Sequence, residues 1–360
     1  MLTEEEKRRY DRHLILPEIG MEGQERLKNA NVLVVGAGGL GCPVLQYLTA
    51  AGVGRIGIAD GDQVDFSNLQ RQVLFTPADI GHPKAKIAAE KLKAQNPLVE
   101  FDQYIFHLTS QNILSVIEEY DLVIDCTDNF PTRYLVNDAC VITNKPLVFG
   151  AIYKFEGQVS VFNYQGGPTY RCLFPEPPQK GEVPSCSEIG VVGVLPGIIG
   201  CLQASEAIKV ITGIGEVASG KLIVLDTLTL QWNTFKFKKV EKNTQIKEFS
   251  DYEQFCEKPK FKKNHDEITY SELQQWQLSG KDLQLVDVRE TYEHQNGNIG
   301  GINIPLTLIP LRHNELNTSK PIVLYCQRGG RSMQALKWVK QNMPDAEAYS
   351  LVGGYEATLI

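Results

Sequence analysis

The chain has 360 residues, with 42% hydrophobic and 22% charged residues, which is typical of a globular protein of two or three domains. Its net charge is −7 and no long basic block occurs, so nucleic acid and anionic membranes are not expected partners. The charged N-terminus lacks a signal-peptide core, and the longest uncharged stretch, 189–204, is too short and glycine-rich to span a bilayer. The eight cysteines contain no CxxC pair, which indicates free thiols and a cytoplasmic location.

Apolar runs alternate with helical segments over the first 150 residues. The predicted strands are 31–35, 55–60, 101–106, 121–124 and 146–149, and the predicted helices are 40–51, 84–95 and 132–143. This alternation predicts an α/β fold with a Rossmann-like, mainly parallel sheet.

The pattern changes after Gly150. A strand is predicted at 158–164, a proline-rich crossover at 175–184, a helix at 195–211 interrupted near Pro196-Gly197, and a closing hairpin at 221–226 and 231–237. Residues 241–266 are charged and poorly periodic, which predicts a linker between a first domain, 1–240, and a second, 267–360. In the second domain, helix 269–278, strands 283–288 and 322–326 and helix 331–342 predict a smaller α/β domain.

A glycine-rich turn follows the first strand and precedes the first predicted helix of the sheet. Its glycines are Gly36, Gly38, Gly39 and Gly41. Glycines allow the backbone to approach phosphates, and the helix N-terminus supplies N–H groups. Asp60 ends the next strand, where an acid can bind ribose hydroxyls. Taken alone, the turn also fits an NAD-dependent dehydrogenase.

Further polar residues favour a triphosphate over a dinucleotide. They are Asp62, Asn68, Arg71, Gln72, Lys84, Asp128 and Asn129. Ligands of open α/β sheets lie beyond the carboxyl ends of the strands, so these groups are expected to converge. Arg71 and Lys84 supply the cations for a triphosphate, and an aspartate facing it, Asp128, is predicted to hold Mg²⁺. The alternative is a surface ion-pair cluster in which Asp128 is a helix N-cap.

Residues 1 to about 240 resemble the ubiquitin-activating-enzyme superfamily, in particular the bacterial adenylyltransferases that activate sulfur carriers of molybdopterin and thiazole biosynthesis. The resemblance rests on Arg9-Tyr-Asp-Arg12, the Gly36 turn, Ser67 to Gln72, Lys84, Asp125 to Asn129 and Pro196-Gly-Ile-Ile-Gly200. It implies that Asp60 binds ribose, that Asn68, Arg71 and Lys84 hold phosphates, and that Asp128 positions Mg²⁺. It also implies a homodimer in which Arg12 reaches the ATP of the partner subunit.

The resemblance further implies the substrate, a ubiquitin-like sulfur carrier ending in Gly-Gly. A carrier carboxylate is already ionised near neutral pH, so its attack on the α-phosphorus of ATP requires no general base. Charge stabilisation by Arg, Lys and Mg²⁺ is then sufficient.

Two cysteine-related features follow from the same resemblance. Cys186 lies after the proline-rich segment, where a cysteine of the superfamily can bond covalently to the activated carrier, although an unreactive loop thiol is the alternative. Many relatives hold a structural zinc on two CxxC pairs. Here only Cys172 remains of those ligands, so no zinc is predicted and the hairpin is expected to be held by packing.

Residues 267–360 resemble a rhodanese domain. The matching segments are Val286-Asp-Val-Arg289, His294 to Gly300, Asn303-Ile-Pro305, Tyr325-Cys326-Gln-Arg-Gly-Gly-Arg331-Ser332 and Leu351-Val-Gly-Gly354. Cys326 is the predicted sulfur-carrying nucleophile, and successive N–H groups with Arg328 and Arg331 are expected to favour its thiolate and persulfide anions. Related phosphatases have a longer loop. The tighter loop here suits a single sulfur atom.

The sequence therefore predicts an ATP-dependent adenylyltransferase with sulfurtransferase activity, supplied with sulfur by a donor such as a cysteine desulfurase. The carrier could serve molybdopterin synthesis, thiazole synthesis or tRNA thiolation. Two alternatives stay open. An NAD-dependent oxidoreductase explains only the Gly36 turn, and a non-catalytic scaffold for a ubiquitin-like protein requires no intact Cys326 loop.

Overall fold

The computed structural model describes residues 1–177, 190–252 and 266–358. These residues form two compact units, the first made of 1–177 with 190–252 and the second of 266–358. Cys186, the predicted covalent cysteine of the crossover, lies outside the described residues.

The first unit is built on an eight-stranded sheet with the order β3-β2-β1-β4-β5-β6-β7-β8. The strands are β1 Asn31–Val35, β2 Arg55–Ala59, β3 Glu100–Tyr104, β4 Leu122–Asp125, β5 Leu147–Tyr153, β6 Glu156–Phe162, β7 Lys221–Asp226 and β8 Gln231–Lys236. The first five strands in this order, β3-β2-β1-β4-β5, are parallel to one another. The remaining strands, β6, β7 and β8, each run antiparallel to the strand before them. The predicted α/β class and the closing hairpin are therefore confirmed.

The order of the strands places a crevice at one edge of this sheet. From β1 the chain moves outward to β2 and β3 and then returns to β4 on the other side of β1. In such sheets the crevice lies beyond the carboxyl ends of the two strands at the reversal. The Gly36 turn follows β1 and Asp128 follows β4, so both lie at this edge.

Helices cover both faces of the sheet. They are α1 Glu4–Arg9, α2 Asp11–Leu14, α3 Gly20–Asn29, α4 Gly41–Ala51, α5 Lys84–Gln95, α6 Ile113–Ile117, α7 Phe130–Ile142, α8 Tyr170–Leu173 and α9 Val194–Thr212. Successive side chains of a strand point to opposite faces. Val32 and Val34 accordingly join one hydrophobic core, and Leu33 and Val35 join the other.

Helix α9 corrects one detail of the sequence-based prediction. It is continuous and not interrupted near Pro196, because this proline lies in the first helical turn, where its missing N–H would have no acceptor within the helix. By length and composition α9 is apolar enough to cross a membrane. Residues such as Ile199 and Ala207 are buried in the core, so α9 serves the first unit as a packed central helix.

The second unit contains a five-stranded parallel sheet with the order β11-β10-β12-β13-β9. Its strands are β9 Glu267–Ile268, β10 Gln284–Asp287, β11 Ile302–Asn303, β12 Ile322–Tyr325 and β13 Ala348–Leu351, and its helices are α10 Tyr270–Leu278, α11 Thr291–Gln295, α12 Ile309–Arg312 and α13 Gly330–Asn342. The prediction of a smaller α/β domain is confirmed. Strand β12 ends directly before Cys326, and α13 begins four residues after it.

The first part of the predicted linker lies against the first unit. After a short 3₁₀ turn at Glu241–Thr244, the Phe249 ring packs on the hydrophobic core and Tyr252 is 7% exposed. Charge and weak periodicity suggested a free segment from residue 241. The structure instead anchors residues 241–252 through a few aromatic and polar contacts that carry no periodic signal.

Candidate functional site

The glycine turn fits closely against the end of β4. Gly36 has a φ of +97°, and a Cβ at this position would lie 2.8 Å from the backbone oxygen of Cys126. A Cβ at Gly41 would lie 2.0 Å from the backbone oxygen of Gly36. Only glycine fits both positions, so the sequence creates a bare backbone turn at the mouth of the crevice.

Asp60 fixes the turn to the end of β2. One oxygen of its carboxylate accepts a hydrogen bond of 2.8 Å from the N–H of Ala37, and the other accepts one of 2.8 Å from the N–H of Asp62. Burial raises the pKa of Asp60, and the nearby charge of Lys84 opposes that rise. The predicted ribose-binding carboxylate is thus held rigidly beside the predicted phosphate turn.

The predicted cations surround the same turn. Lys84 is 6% exposed, and its Nζ lies 3.1 Å from a carboxylate oxygen of Asp62. Asp62 was predicted to contact the nucleotide, and the structure places it as the ion-pair partner of Lys84. Arg71 donates from Nη1 to the backbone oxygen of Ser67 at 3.1 Å, and its Cγ would lie 3.6 Å from a Cβ at Gly39.

Three further residues lie around the glycine turn or shape the segment beside it: Gln72, Pro196 and Asn68. A Cβ at Gly38 would lie 3.7 Å from the amide nitrogen of Gln72, which is buried, and one at Gly39 would lie 3.1 Å from Pro196 at the start of α9. Asn68 accepts a 3.4 Å hydrogen bond from the N–H of Asp65 and so shapes the turn that carries Arg71. The motifs singled out in the sequence therefore meet around one glycine turn.

Asp128 and Asn129 have different roles. Asn129 is the N-cap of α7, because its Oδ1 accepts a 3.0 Å hydrogen bond from the N–H of Thr132. The alternative in which Asp128 is the cap is therefore wrong. Asn129, predicted to contact the nucleotide, has its side-chain oxygen engaged in capping. Asp128 is exposed at the crevice edge.

Two buried residues that the sequence analysis missed hold the loop after β4. Arg133 donates from Nη2 to the backbone oxygen of Thr127 at 3.0 Å, and its Nε lies 3.5 Å from the carboxylate of Asp125. Thr127 donates to Asp125 through its N–H and its hydroxyl at 2.9 and 2.6 Å. Gln203 of α9 donates to the backbone oxygen of Asp125 at 2.7 Å. The sequence held one signal for the role of Arg133: it is a charged residue one turn inside an apolar helix.

Arg12 lies apart from this assembly of side chains. It is 88% exposed on α2, and its Nη1 lies 3.9 Å from the carboxylate of Asp11. The single chain does not bring Arg12 to its own glycine turn, whereas the neighbouring Tyr10 is buried and accepts a 2.9 Å hydrogen bond from Asn96.

Cys172, the remaining candidate zinc ligand, lies in a hydrogen-bonded cluster. The sulfur of Cys172 accepts hydrogen bonds from the N–H groups of Thr169 and Val240, both at 3.3 Å, and the Thr169 hydroxyl donates to the backbone oxygen of Asn243 at 3.0 Å. No group of three or more potential metal ligands occurs within the described residues. Hydrogen bonds, besides the packing that was predicted, thus join α8 to the segment after the hairpin.

In the second unit, Cys326 lies at the base of a tight loop. It is 2% exposed, and its Sγ accepts a 3.1 Å hydrogen bond from the N–H of Gly329, which has a φ of +103°. The hydroxyl of Ser332 lies 3.7 Å from the sulfur and donates to the backbone oxygen of Gly329 at 2.9 Å. The loop therefore turns the backbone N–H of Gly329 toward the sulfur, as expected of a cradle for a sulfur anion.

The arginines of this loop are paired with carboxylates, which the sequence did not predict. Arg331 makes two hydrogen bonds to Glu293, at 2.6 and 2.7 Å. Arg328 donates from Nε to both oxygens of Glu356, at 3.0 and 2.8 Å. Arg331 still raises the positive potential near Cys326, but its charge is shared with a fixed partner. Residues far apart in sequence form these pairs, so their spacing gave no signal.

The C-terminal turn closes the loop from the other side. The N–H of Tyr355 donates to the backbone oxygen of Cys326 at 2.7 Å, and a Cβ at Gly354 would lie 2.2 Å from that oxygen. Asp287 and Arg289 form a structural ion pair, fully buried and joined at 2.7 to 3.0 Å. Arg289 also donates to Gln327 of the loop at 3.1 Å. The pair therefore supports the cysteine loop directly.

The fold and the two sites define a class of protein, a nucleotide-binding α/β enzyme joined to a cysteine-loop sulfurtransferase unit. Comparison with known families agrees. The ThiF family model matches residues 10–247, and the rhodanese-like domain model matches residues 269–359. The chain belongs to the ThiF family and carries a rhodanese-like domain behind it.

Of three curated relatives, two match nearly the whole chain and one matches 71% of it. The chain is 46% identical to the probable adenylyltransferase/sulfurtransferase MoeZ of Mycobacterium tuberculosis, over 99% of this chain and 93% of the relative. It is 54% identical to the sulfur carrier protein adenylyltransferase of Thermus thermophilus, over 71% of this chain and 98% of that protein. It is 39% identical to the adenylyltransferase and sulfurtransferase MOCS3 of Drosophila sechellia, over 99% of this chain and 83% of that protein.

Solved structures agree in fold. Escherichia coli MccB with bound ATP superimposes with a TM-score of 0.54 at 23% identity, over 61% of this chain and 67% of MccB. The predicted family and enzyme class, a nucleotidyltransferase with sulfurtransferase activity, are confirmed by these comparisons, and the NAD-dependent oxidoreductase is not supported. The roles of individual site residues stay predictions.

Proposed function

We propose that this protein uses ATP to adenylate the C-terminal glycine of a ubiquitin-like sulfur carrier and then delivers sulfur from a persulfide on Cys326. One observation carries the proposal. A single chain joins a phosphate-type glycine turn, with Lys84 and Arg71 near it and Asp128 at the same sheet edge, to a cysteine loop with an inward N–H donor. Neither a dehydrogenase nor a scaffold requires both.

The first step is an acyl adenylation. The carrier carboxylate attacks the α-phosphorus of ATP, and pyrophosphate leaves. The Gly36 turn and the start of α4 orient the phosphates, while Lys84 and Arg71 offset the charge that builds on the leaving pyrophosphate. Mg²⁺, for which the exposed Asp128 is a suitable oxygen ligand, would supply further charge stabilisation when bound.

The second step moves sulfur. The terminal sulfur of the Cys326 persulfide attacks the acyl carbon of the adenylate, and AMP leaves, which gives an acyl disulfide. A second thiol then attacks the Cys326 sulfur of that disulfide and releases the carrier thiocarboxylate. Cys186 is our candidate for this thiol. The resulting disulfide between Cys186 and Cys326 is then reduced by small free thiols of the cytoplasm, the location that the cysteine content suggests. A protein persulfide, such as that of a cysteine desulfurase, recharges Cys326.

An apolar rim at the nucleotide edge suits the carrier. The rim consists of Phe155, Leu228, Leu230 and Trp232, which are 43%, 69%, 71% and 53% exposed. The N–H of Thr227 donates to the backbone oxygen of Phe155 at 2.9 Å, which joins the β5–β6 and β7–β8 turns. Because β5 and β7 both run parallel to β1, these turns lie at the same sheet edge as the Gly36 turn. A carrier docked there can extend its Gly-Gly tail toward ATP.

A second exposed apolar face supports the homodimer. Tyr47 of α4 and Val194 of α9 are 58% and 61% exposed on two helices that pack together, and Ile15 next to α2 is 62% exposed. We propose that a second copy covers this face and that Arg12 then reaches the partner's phosphates.

The test of the proposed function is exchange of labelled pyrophosphate into ATP. It should require a carrier ending in Gly-Gly and vanish when the tail is shortened by one glycine. Exchange without any carrier, or its absence with every Gly-Gly carrier tried, would count against the proposal. NAD⁺ should neither bind to the protein nor compete with ATP, which tests the dehydrogenase alternative.

A further inference from the structure

Two buried hydroxyl groups lie behind the sulfur of Cys326. Ser332 is in the first turn of α13, and its Oγ lies 3.7 Å from the Sγ of Cys326. Ser350 of β13 is also buried, and its Oγ lies 2.8 Å from that of Ser332. A buried hydroxyl must keep hydrogen-bond partners to offset the loss of water, whereas alanine would fill either place without that demand. The pair therefore points to a task that requires hydroxyl groups.

The strand β13 holds Ser350 in a fixed place. It lies between β12 and β9 in the sheet, where Ser350 is paired with Leu324 on one side and Glu267 on the other. The N–H of Ser350 donates to the backbone oxygen of Asp266 at 3.0 Å. Within the described part of the second unit, Ser332 is the hydrogen-bond partner of the Ser350 hydroxyl. The sheet thus positions one hydroxyl, and this hydroxyl positions the other.

The Ser332 hydroxyl can serve the sulfur in both of its protonation states, because it has one proton and two lone pairs. In the thiol, the S–H of Cys326 donates to the Ser332 oxygen, and the Ser332 proton is directed to the backbone oxygen of Gly329, 2.9 Å away. In the thiolate, the Ser332 proton can turn to the sulfur. The Gly329 oxygen then keeps the 3.0 Å hydrogen bond from the N–H of Met333, so it stays paired in either state.

The charged groups around the loop do not take this role. Among the described residues, the hydrogen-bond partners of the Cys326 sulfur are the N–H of Gly329, at 3.1 Å, and Ser332. The charged and titratable side chains of the surrounding elements are bound elsewhere: Arg331 to Glu293, Arg328 to Glu356, Asp287 to Arg289 and His294, and Tyr325 to Gly300. Ser332 is therefore the side-chain donor within reach of a sulfur anion in this part of the structure.

We propose that Ser332 is a catalytic residue of sulfur transfer that donates a hydrogen bond to the Cys326 thiolate, and that Ser350 is the positioning residue that holds it there. The inference rests on the proposed function. To be recharged, Cys326 loses its proton to solvent, and its thiolate attacks the outer sulfur of a donor persulfide while the thiolate of the donor leaves. A hydrogen bond that forms with the anion increases the fraction of Cys326 that is nucleophilic at neutral pH.

Alkylation of Cys326 by iodoacetamide in the full-length protein tests the pair. The thiolate displaces iodide and forms a thioether, and peptide mass spectrometry separates Cys326 from the other cysteines. Ser350→Thr and Ser350→Val have nearly equal shape and differ in the hydroxyl. At neutral pH, Ser350→Val should react about threefold more slowly than Ser350→Thr, as expected for one lost hydrogen bond. At about pH 10, where a thiol is largely ionised, the two rates should be equal.

Ser332→Ala removes the donor itself, and it keeps the test open if the Ser350 variants fail to fold. Alkylation at neutral pH should be slower by about tenfold, because hydrogen bonds to charged groups are the stronger ones. The difference should again disappear at about pH 10. Ser279→Ala is the matched control, since the Ser279 hydroxyl also donates to a backbone oxygen three residues earlier, that of Trp276 at 2.9 Å. Ser279→Ala should react like the unaltered protein.

Three results would overturn the inference: equal rates of Ser350→Thr and Ser350→Val at neutral pH, a normal rate in Ser332→Ala, or slowing by the same factor at both pH values. The last result would mean that the hydroxyls only support the packing of the loop. Alkylation requires neither ATP nor a carrier, so it stays separate from the test of the proposed function. Absence of pyrophosphate exchange in the unaltered protein would refute that function and would leave the alkylation rates unaffected.

Discussion

The N–H of Gly329 donates a hydrogen bond to the Sγ of Cys326 at 3.1 Å. The bond forms because Gly329 has a φ of +103°, which turns its N–H inward at the start of α13. A residue with a β-carbon rarely adopts this backbone φ angle. The loop geometry, and with it the anion-stabilising donor, therefore depends on this glycine.

Cys326→Ser should separate the two activities. The change keeps the size of the side chain and removes the sulfur nucleophile, while the Gly36 turn is unaffected. We expect normal pyrophosphate exchange and no carrier thiocarboxylate unless free sulfide is supplied, because sulfide can attack the acyl adenylate directly. Mass spectrometry of the carrier measures this. Normal thiocarboxylate without sulfide would mean that sulfur arrives by another route, for example on Cys186.

Asp128→Ala should abolish adenylation and leave the fold intact, because Asp128 is exposed and Asn129 caps α7. The neighbouring Asn129→Ala is the matched control. It should cost about 1 kcal/mol of stability through the lost cap and largely retain pyrophosphate exchange. Near-normal exchange in Asp128→Ala would remove Asp128 from the proposed site.

Arg12→Ala and Asp128→Ala should complement each other if Arg12 acts across a homodimer. Each variant alone should be inactive in pyrophosphate exchange. After unfolding and refolding as an equal mixture, half of the dimers are mixed, and each mixed dimer holds one intact site. About a quarter of normal exchange should return. No recovery with a dimer seen by sedimentation would place Arg12 in its own subunit's site or outside any site.

Trp232→Ser should weaken carrier binding if the apolar rim is the docking surface. Truncating an exposed aromatic anchor of an interface typically costs about 1–2 kcal/mol, which corresponds to a rise of roughly tenfold in the KM for the carrier. The KM for ATP should not change. Phe235→Ser is the control, because Phe235 is 56% exposed at the opposite end of β8. Equal effects of both changes would contradict the assignment of the rim.

The Asp287–Arg289 pair should make the second unit sensitive to acid. Burial opposes ionisation of Asp287, but hydrogen bonds from Arg289 and the His294 ring outweigh it and hold the pKa of this carboxyl below its ordinary value. The stabilisation is therefore complete above about pH 4 and is lost as pH falls through the lowered folded-state value.

Arg289→Met tests this pair. The buried carboxylate of Asp287 would lose its main partner, at a cost of about 3–5 kcal/mol at neutral pH. Its pKa would rise, so stability should then increase as the pH is lowered from 7. Denaturant unfolding followed by tryptophan fluorescence measures both effects. The exposed pair Arg312 and Glu315 offers a control, since Arg312→Met should be near neutral. An unchanged pH dependence in Arg289→Met would refute the argument.

Purified protein should contain no stoichiometric zinc, because Cys172 is joined to Thr169, Val240 and Asn243 by hydrogen bonds that need no metal. Elemental analysis measures the content. One tightly held zinc per chain would contradict the prediction and would require ligands beyond Cys172.

The sequence by itself determined the alternation of strands and helices, the glycine turn and the Cys326 loop, because these depend on local patterns. Gly36, Asp60 and Cys326 each stand next to a strand whose apolar run is visible in the chain. The pairing of Cys326 with a neighbouring N–H follows from the same short segment.

Only the tertiary structure decided which partners the charged groups take. Arg331 meets Glu293, Arg328 meets Glu356, and Tyr252 meets Asp138 across separations of 28 to 114 residues. Asn129, not Asp128, caps α7, and Asp62 pairs with Lys84. These choices follow from which segments the fold brings together, since a charged or polar side chain pairs with a suitable partner within reach wherever that partner lies in the chain.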